Sequence, residues 1–362
     1  MLAEDRQRAI VAAVRERGSV RIGTLAEELN VAAVTVRSDV RELARRGEVV
    51  RVHGGVARPA ERGENGPSTP TTGAGQAPAE DVAAGRTPRT YSLGMVVPHS
   101  SYYYPEVVGG ATAAAESFGA TLTVEVSQNS FTEKALVAKM LQTGVDGLLV
   151  TTAEDPRTSP DTEAWLRELP VPVVLAERRT GLDTGTVEHV ATSHEYGAHL
   201  ALRHLVARGR SRIALLQFAT MTAPMLQAGY DQALTALNLE PCSPDVPSTL
   251  LENDLTDLDD KCAQLVRCVK SGQVDAILVH NDSIALPLVS RLQESGIRVP
   301  DDLAVVTYDD ELATLADPPL TAVAPPRRAV GAEAVELLVR RLEDPTRPTH
   351  HLMLNPVLNV RS

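Results

Sequence analysis

Apolar positions along the chain change their period twice. Up to residue 57 they recur at helical spacing. Ile10, Val11 and Val14 share one face of a segment 5–17 that Gly18 ends; Ile22, Leu25, Ala26 and Leu29 follow on 22–29; Val36, Val40, Leu43 and Ala44 line 33–46, which Gly47 stops. Residues 48–52 then read as a strand ending in the tight turn His53-Gly54-Gly55. Three helices and a β-wing describe a winged helix-turn-helix. Over 57–89 the pattern stops, with five Pro, five Gly and one β-branched aliphatic, Val82. Such a stretch buries too little apolar surface to offset chain entropy, so 58–89 is expected to be a disordered linker. From Tyr91 onward, short apolar runs at 92–97, 122–126, 147–151, 172–175, 212–216, 276–279 and 303–307 alternate with amphipathic stretches such as 133–141, 197–207, 257–270 and 285–294. That alternation predicts α/β architecture, with parallel doubly wound sheets covered on both faces. About 270 residues is long for one such sheet, which predicts two lobes.

Composition adds a division of labour. The 362 residues are 43% hydrophobic and 23% charged, enough to build a core. The net charge is −12, but residues 1–58 carry 11 Arg, no Lys and 8 acidic residues, or +3, which leaves −15 on the rest. A basic head on an acidic body suggests nucleic-acid contact through one module. No apolar run reaches the roughly 18–20 residues of a membrane span. The start MLAEDRQRAI has no apolar signal-peptide core. The cysteines Cys242, Cys262 and Cys268 are odd in number and lack metal-type spacing. A cytoplasmic protein is the simplest expectation.

The second helix of a helix-turn-helix lies in the major groove with its N-terminal residues on base edges. Here the exposed face offers Ala33, Thr35 and Ser38, small enough for close approach, and Arg37 and Arg41 one turn apart, able to reach guanines or phosphates. Arg51 and His53 on the wing are placed to touch the neighbouring backbone. Periodicity alone leaves a second reading open, a solvated helix face beside Asp39 and Glu42. The runs GSVRIGTLAEELNV (18–31) and TVRSDVREL (35–43), with Gly47 and His53-Gly54-Gly55, resemble the DNA-binding domain of DeoR-type regulators over 6–57. The resemblance implies operator binding. Two positions depart from it: Ala32 stands where a Ser N-cap is usual, and Ser38 where a second Arg is usual.

The C-terminal part departs from the effector domain that DeoR-type regulators normally carry. YSLGMVVP (91–98), GVDGLLV (144–150), VPVVLAER (171–178), Asn281-Asp282, GIRVPDD (296–302) and YDD (308–310) come in an order that resembles the effector domain of LacI-type regulators, related to periplasmic sugar-binding proteins. The likeness covers about 91–362. It implies a domain 90–362 with lobe 1 at about 90–192 plus part of 320–362, and lobe 2 at about 193–319. Ligands of such sheets sit outside the carboxyl ends of the strands. His99, Ser101, Tyr102, Tyr103 and Tyr104 follow the first strand, and their hydroxyls and rings suit a polyol. Glu177 and Arg178 follow the fourth, where the resemblance implies an acidic residue and an Arg facing a sugar. Asn281 offers both donor and acceptor, and Asp282 reads as the N-cap of the next helix. By resemblance Asp309 accepts sugar hydroxyls, while Asp310 holds a turn. Leu226, Ser193-His194, Pro325 and Arg327 depart from the family pattern at positions that commonly face ligand.

Enzyme readings find little support. His194 and His199 lie five apart, so they do not share a helix face as a zinc-protease pair would, and phosphate-loop, nucleophile-elbow and dinucleotide motifs are absent. The expectation is a non-enzymatic transcriptional regulator, a repressor, without catalytic residue, metal or cofactor. Its expected partners are double-stranded operator DNA, a small sugar-like effector and a second copy of the chain. A homodimer is expected, with a tetramer as the open alternative.

Overall fold

The computed structural model describes residues 3–17, 19–21, 24–25, 28–29, 31, 36, 40, 43, 50–52, 55–57, 90–181, 187–243, 245–250 and 255–361. The chain divides into two compact units, Met1–Ala83 and Ala84–Ser362.

The first unit holds helix α1 (Ala3–Arg17) and a small sheet of β1 (Ser19–Arg21), β2 (Val50–Val52) and β3 (Gly55–Ala57), in the order β1-β3-β2 and antiparallel. Its core is Ile10, Val11, Ala13, Val14, Val20, Leu25, Val36, Val40 and Leu43. Val36, Val40 and Leu43 are helical and buried, spaced to share one face of a helix, as periodicity predicts. Pairing of β2 with β3 forms the wing.

The second unit is built on two six-stranded sheets. Lobe 1 carries β4 (Ser92–Val97), β5 (Thr121–Val126), β6 (Gly147–Val150), β7 (Val173–Ala176), β8 (Glu188–Thr192) and β14 (His351–Leu354) in the order β14-β8-β7-β6-β4-β5, all parallel. Lobe 2 carries β9 (Ile213–Phe218), β10 (Thr249–Leu250), β11 (Ala276–His280), β12 (Ala304–Tyr308), β13 (Thr321–Ala324) and β15 (Val357–Asn359) in the order β10-β9-β11-β12-β13-β15, with only β13 and β15 antiparallel. The central strands β6, β7, β11 and β12 are buried at every residue, which follows from helices on both faces. Edge strand β5 is only partly covered. Lobe 2 extends past the expected 319, because β13 pairs with β12 and β15 completes that edge.

The helices are α2 (Tyr104–Ser117), α3 (Ser130–Gln142) and α4 (Pro160–Glu168) in lobe 1, then α5 (His194–Ala207), α6 (Ala223–Leu237), α7 (Leu255–Lys270) and α8 (Asp282–Glu294) in lobe 2. Helix α9 (Arg327–Glu343) returns to lobe 1 and packs along α2. Glycine permits that contact: a Cβ on Gly331 would lie 1.9 Å from the Val107 carbonyl oxygen, and one on Gly110 1.9 Å from that of Arg328. The chain thus passes between lobes three times, after β8, after β13 and between β14 and β15. These crossings set the carboxyl ends of both sheets face to face.

Candidate functional site

Both lobes send their strand ends into one cleft, and the backbone there is unusual. Among the described residues five non-glycine residues have positive φ, and four of them, Tyr102 (58°), Glu177 (56°), Asp309 (86°) and Asp310 (59°), follow a strand at this cleft. Side chains rarely accept that conformation, and when they do the site is often functional.

In lobe 1, Glu177 is buried at the end of β7. One carboxylate oxygen accepts from the Tyr103 hydroxyl (2.7 Å) and the Thr192 hydroxyl (2.9 Å), the other from the Thr192 N–H (3.0 Å). Arg178 donates from Nε to the Thr152 carbonyl (2.8 Å) and from Nη1 to the Glu177 carbonyl (2.9 Å). In lobe 2, Asn281 Nδ2 donates to Asp309 Oδ2 (2.9 Å), and both residues are buried. Burial, reinforced by the nearby Asp282 charge, pushes the Asp309 carboxyl up to about 7, while its bond from Asn281 and the Arg327 charge oppose that rise. Burial and neighbouring carboxylates likewise raise the hydroxyls of Tyr102, Tyr103 and Tyr308, so all three are neutral donors.

Several contacts span the lobes. The Tyr102 hydroxyl donates to Asp282, Arg179 makes a two-pronged pair with Glu195 (2.7 and 2.6 Å), and Arg327 pairs with Glu311 while its guanidinium lies 5.3 Å from the Tyr103 ring centre. A narrow pocket, partly open to solvent, is lined by Asp155, Arg157, Glu177, Arg178 and Arg179 from lobe 1 and by His194, Met221 and Met225 from lobe 2. His194 Nδ1 lies 3.0 Å from the Tyr308 hydroxyl, and burial holds its imidazole neutral.

The residues singled out from the sequence fall in different places. Tyr102, Tyr103, Glu177, Arg178, Asn281 and Asp309 converge on the cleft. His99 and Ser101 are exposed at its rim, joined through His99 Nδ1 and the Ser101 carbonyl oxygen (3.0 Å). Tyr104 is buried in the lobe 1 core, with the Arg178 side chain near its hydroxyl. Asp282 does not cap its own helix. The N-cap position is Asn281, and Asp282 instead accepts from Tyr102 and from the N–H groups of Leu312 (2.6 Å) and Ala313 (3.1 Å). This carboxylate is fully buried and meets one donor from the other lobe, Tyr102, and two backbone donors from its own. Asp310 accepts from Asn359 and both terminal nitrogens of Arg361, holding its turn against the C-terminal strand. Leu226 is fully buried core. Arg179, Glu195 and His194 were missed as site residues; the unusual Ser193-His194 pair was the available signal. Ala33, Thr35, Arg37, Ser38, Arg41 and His53 lie outside the described residues, as does the side chain of Arg51 on β2.

Comparison with known proteins agrees with this geometry. Residues 6–62 match the DeoR-like helix-turn-helix domain, and residues 202–362 the periplasmic binding protein-like domain. The HTH-type transcriptional repressor PurR of Vibrio atlanticus is 30% identical over 285 residues, covering 75% of this chain and 81% of that one. A crystal structure of the lac repressor dimer bound to operator and the anti-inducer ONPF superposes with a TM-score of 0.63 at 25% identity, over 75% of this chain and 93% of that one. The transcriptional regulator CelR in complex with cellobiose superposes with a TM-score of 0.64 at 23% identity, over 97% of this chain and 98% of that one. No helix among the described residues is long and apolar enough to cross a membrane. The chain belongs to the PurR/LacI family of DNA-binding transcriptional repressors, with a DeoR-like helix-turn-helix ahead of its periplasmic-binding-protein-like effector domain.

Proposed function

We propose that this repressor binds double-stranded operator DNA as a homodimer through residues 1–57, and that a carbohydrate-like effector in the cleft of 90–362 sets its operator affinity. It acts in the cytoplasm and catalyses no reaction. The observation that carries the effector class is the set of polar groups at the strand ends: two carboxylates, an amide and two neutral phenols, with aromatic rings beside them. Carboxylates accept hydroxyl hydrogen bonds strongly, and an amide serves hydroxyls both as donor and acceptor. Glu177, Arg178, Asn281 and Asp309 hold the ligand's hydroxyls, Tyr102 and Tyr103 flank it, and His99 and Ser101 border the entrance. Tyr104 supports Arg178 from behind. The lac repressor complex holds operator DNA with the anti-inducer ONPF and the CelR complex holds cellobiose, which supports the reading.

An effector works only through different affinities for two states. Here Tyr102–Asp282, Arg179–Glu195 and Arg327–Glu311 join the lobes directly. A ligand that supplies hydroxyls to Asp309 and Glu177 changes which of these contacts persist, and so the lobe arrangement presented to the paired heads. On the DNA side, Thr35, Arg37, Ser38, Arg41 and Ala33 face the major groove, and Arg51 and His53 the flanking backbone.

The test is a gel-shift titration of the full chain on its own promoter at fixed salt, with and without D-ribose, D-glucose or cellobiose. Asp309→Ala, and more strongly Asp309→Ala with Asn281→Ala, is expected to keep operator binding while needing at least about tenfold more sugar for the same response, from about 1–3 kcal/mol for unpaired buried groups. A response at the wild-type sugar concentration removes Asp309 from the site.

A further inference from the structure

Lobe 2 has a polar floor beneath the cleft in which two buried atoms lack partners among the described residues. Three rows of side chains on one face of its sheet pack under α5 and α6: Ile213 and Leu215 on β9, Ala276 and Leu278 on β11, Ala304 and Val306 on β12. Side chains alternate along a strand, so the next residue on each row is Gln217, His280 and Tyr308. Gln217 and His280 are register partners on adjacent strands. The rows therefore turn from apolar to polar at the last residue, beside His194, which bonds Tyr308 and lines the cavity.

Tyr308 has its partner. Gln217 Oε1 and His280 Nδ1, on side chains 8% and 4% exposed, have none among the described residues. The Gln217 amide is oriented by Nε2, which donates to Gln227 Oε1 (3.1 Å), itself tied through its own amide to Asp231 (2.9 Å). The His280 ring is fixed between Phe218, stacked at 5.4 Å, and Tyr308, edge-on at 5.9 Å. Buried polar groups are nearly always satisfied, so two fixed and unsatisfied groups side by side call for a ligand. Burial holds the imidazole down at about 4, so it is neutral at physiological pH and can donate or accept. Met221 and Met225 lie on the lobe 2 side of the cavity, and unbranched thioether side chains yield readily to an entering group.

We propose that Gln217 and His280 are specificity-determining residues of the effector site, which take adjacent uncharged hydroxyl groups of the ligand, Gln217 Oε1 as acceptor and His280 Nδ1 as the second hydrogen-bonding partner. The inference rests on the carbohydrate reading of the cleft and narrows it to neutral polyols, since neither group carries a charge for a phosphate or a carboxylate.

The experiment is calorimetric titration of the full chain with D-ribose, D-glucose and cellobiose, for wild type, Gln217→Met, His280→Phe and the polar replacement His280→Gln, with thermal unfolding of each. For any sugar that wild type takes, Gln217→Met and His280→Phe should each weaken binding at least tenfold, and His280→Gln should recover part of that loss. Wild-type affinity in both apolar variants overturns the proposal. If wild type takes none of the three sugars, the carbohydrate reading fails, and the pair is judged on unfolding alone. His280→Phe gives up no hydrogen bond to a described residue and should then unfold at or above the wild-type temperature. A fall of several degrees in that variant assigns His280 a structural role and overturns the proposal.

Discussion

Asp309 concentrates the physics of the cleft in one residue. It stands at the end of β12 with a left-handed backbone, bonded to Asn281 and close to Asp282. A carboxyl raised from 3.8 to about 7 is protonated in the folded state over a window where the unfolded chain has released the proton. Its stabilising contribution is therefore complete below about pH 4 and lost as pH rises through about 7. Asp309→Asn, which cannot ionise, should gain stability relative to wild type between pH 5 and pH 8, by at most about 3 kcal/mol at roughly 1.4 kcal/mol per pKa unit over the span from 5 to about 7. Urea unfolding at the two pH values measures this, and a gain that shrinks with pH contradicts it. Glu133 acts in the same direction, because burial lifts it to about 7 although it accepts the Ala153 N–H (2.6 Å). His189 and His280 oppose both, since burial holds them at about 4 and their contribution disappears as pH falls from about 6.5 through 4. Arg37 belongs to this scale as well. If it reads a base edge, Arg37→Ala should weaken specific operator binding by about 1–3 kcal/mol. Gel-shift titration at fixed salt checks it, and unchanged binding removes Arg37 from the recognition surface.

Among the elements, β8 and α9 show which parts of the fold were legible in the sequence. Strand β4 has the bounds that its uninterrupted apolar run predicts, and β6, β7, β9, β11 and β12 lie within a residue or two of theirs. Strand β8 was not predicted, because it opens with Glu188 and His189, polar residues that are buried. Glu188 accepts from Arg341 (3.2 and 3.1 Å), Arg347 (2.7 Å) and the His350 N–H (2.9 Å), and these partners lie more than 150 residues away. The Arg charges hold its carboxyl below the usual range against the effect of burial. Glu188→Ala should cost about 3–5 kcal/mol in chemical unfolding, because it leaves two partly buried guanidinium groups without a counter-charge. The contact of α2 with α9 should prove equally strict. Gly331→Ala places a methyl into the Val107 carbonyl, and the helices must separate to admit it, so unfolding should shift by at least about 1–3 kcal/mol. A neutral result would show that the two helices are not held at this spacing.

At the scale of the whole molecule, function depends on how the two lobes meet. The Arg179–Glu195 pair is partly exposed, and it joins the segment after β7 to the first turn of α5. Glu195→Gln should therefore change stability little, by about 1 kcal/mol or less. Its expected effect is on the lobe arrangement, read as a larger radius of gyration in small-angle scattering and a shifted sugar response on operator. An unchanged scattering profile would leave the lobes held by Tyr102–Asp282 and Arg327–Glu311 alone. The sequence by itself determined the class of each part. Period, composition and motif order are local properties, and they sufficed for the helix-turn-helix, for alternating strands and helices, and for most strand ends that carry polar groups. Tertiary structure alone decided which polar groups meet. Asp282 faces Tyr102 across 180 residues, Asp310 holds Arg361, and Gln217 lies beside His280 with its Oε1 unpaired among the described residues. Such contacts arise because the chain crosses between lobes three times, bringing distant strand ends together, and no local pattern in the residues records that approach.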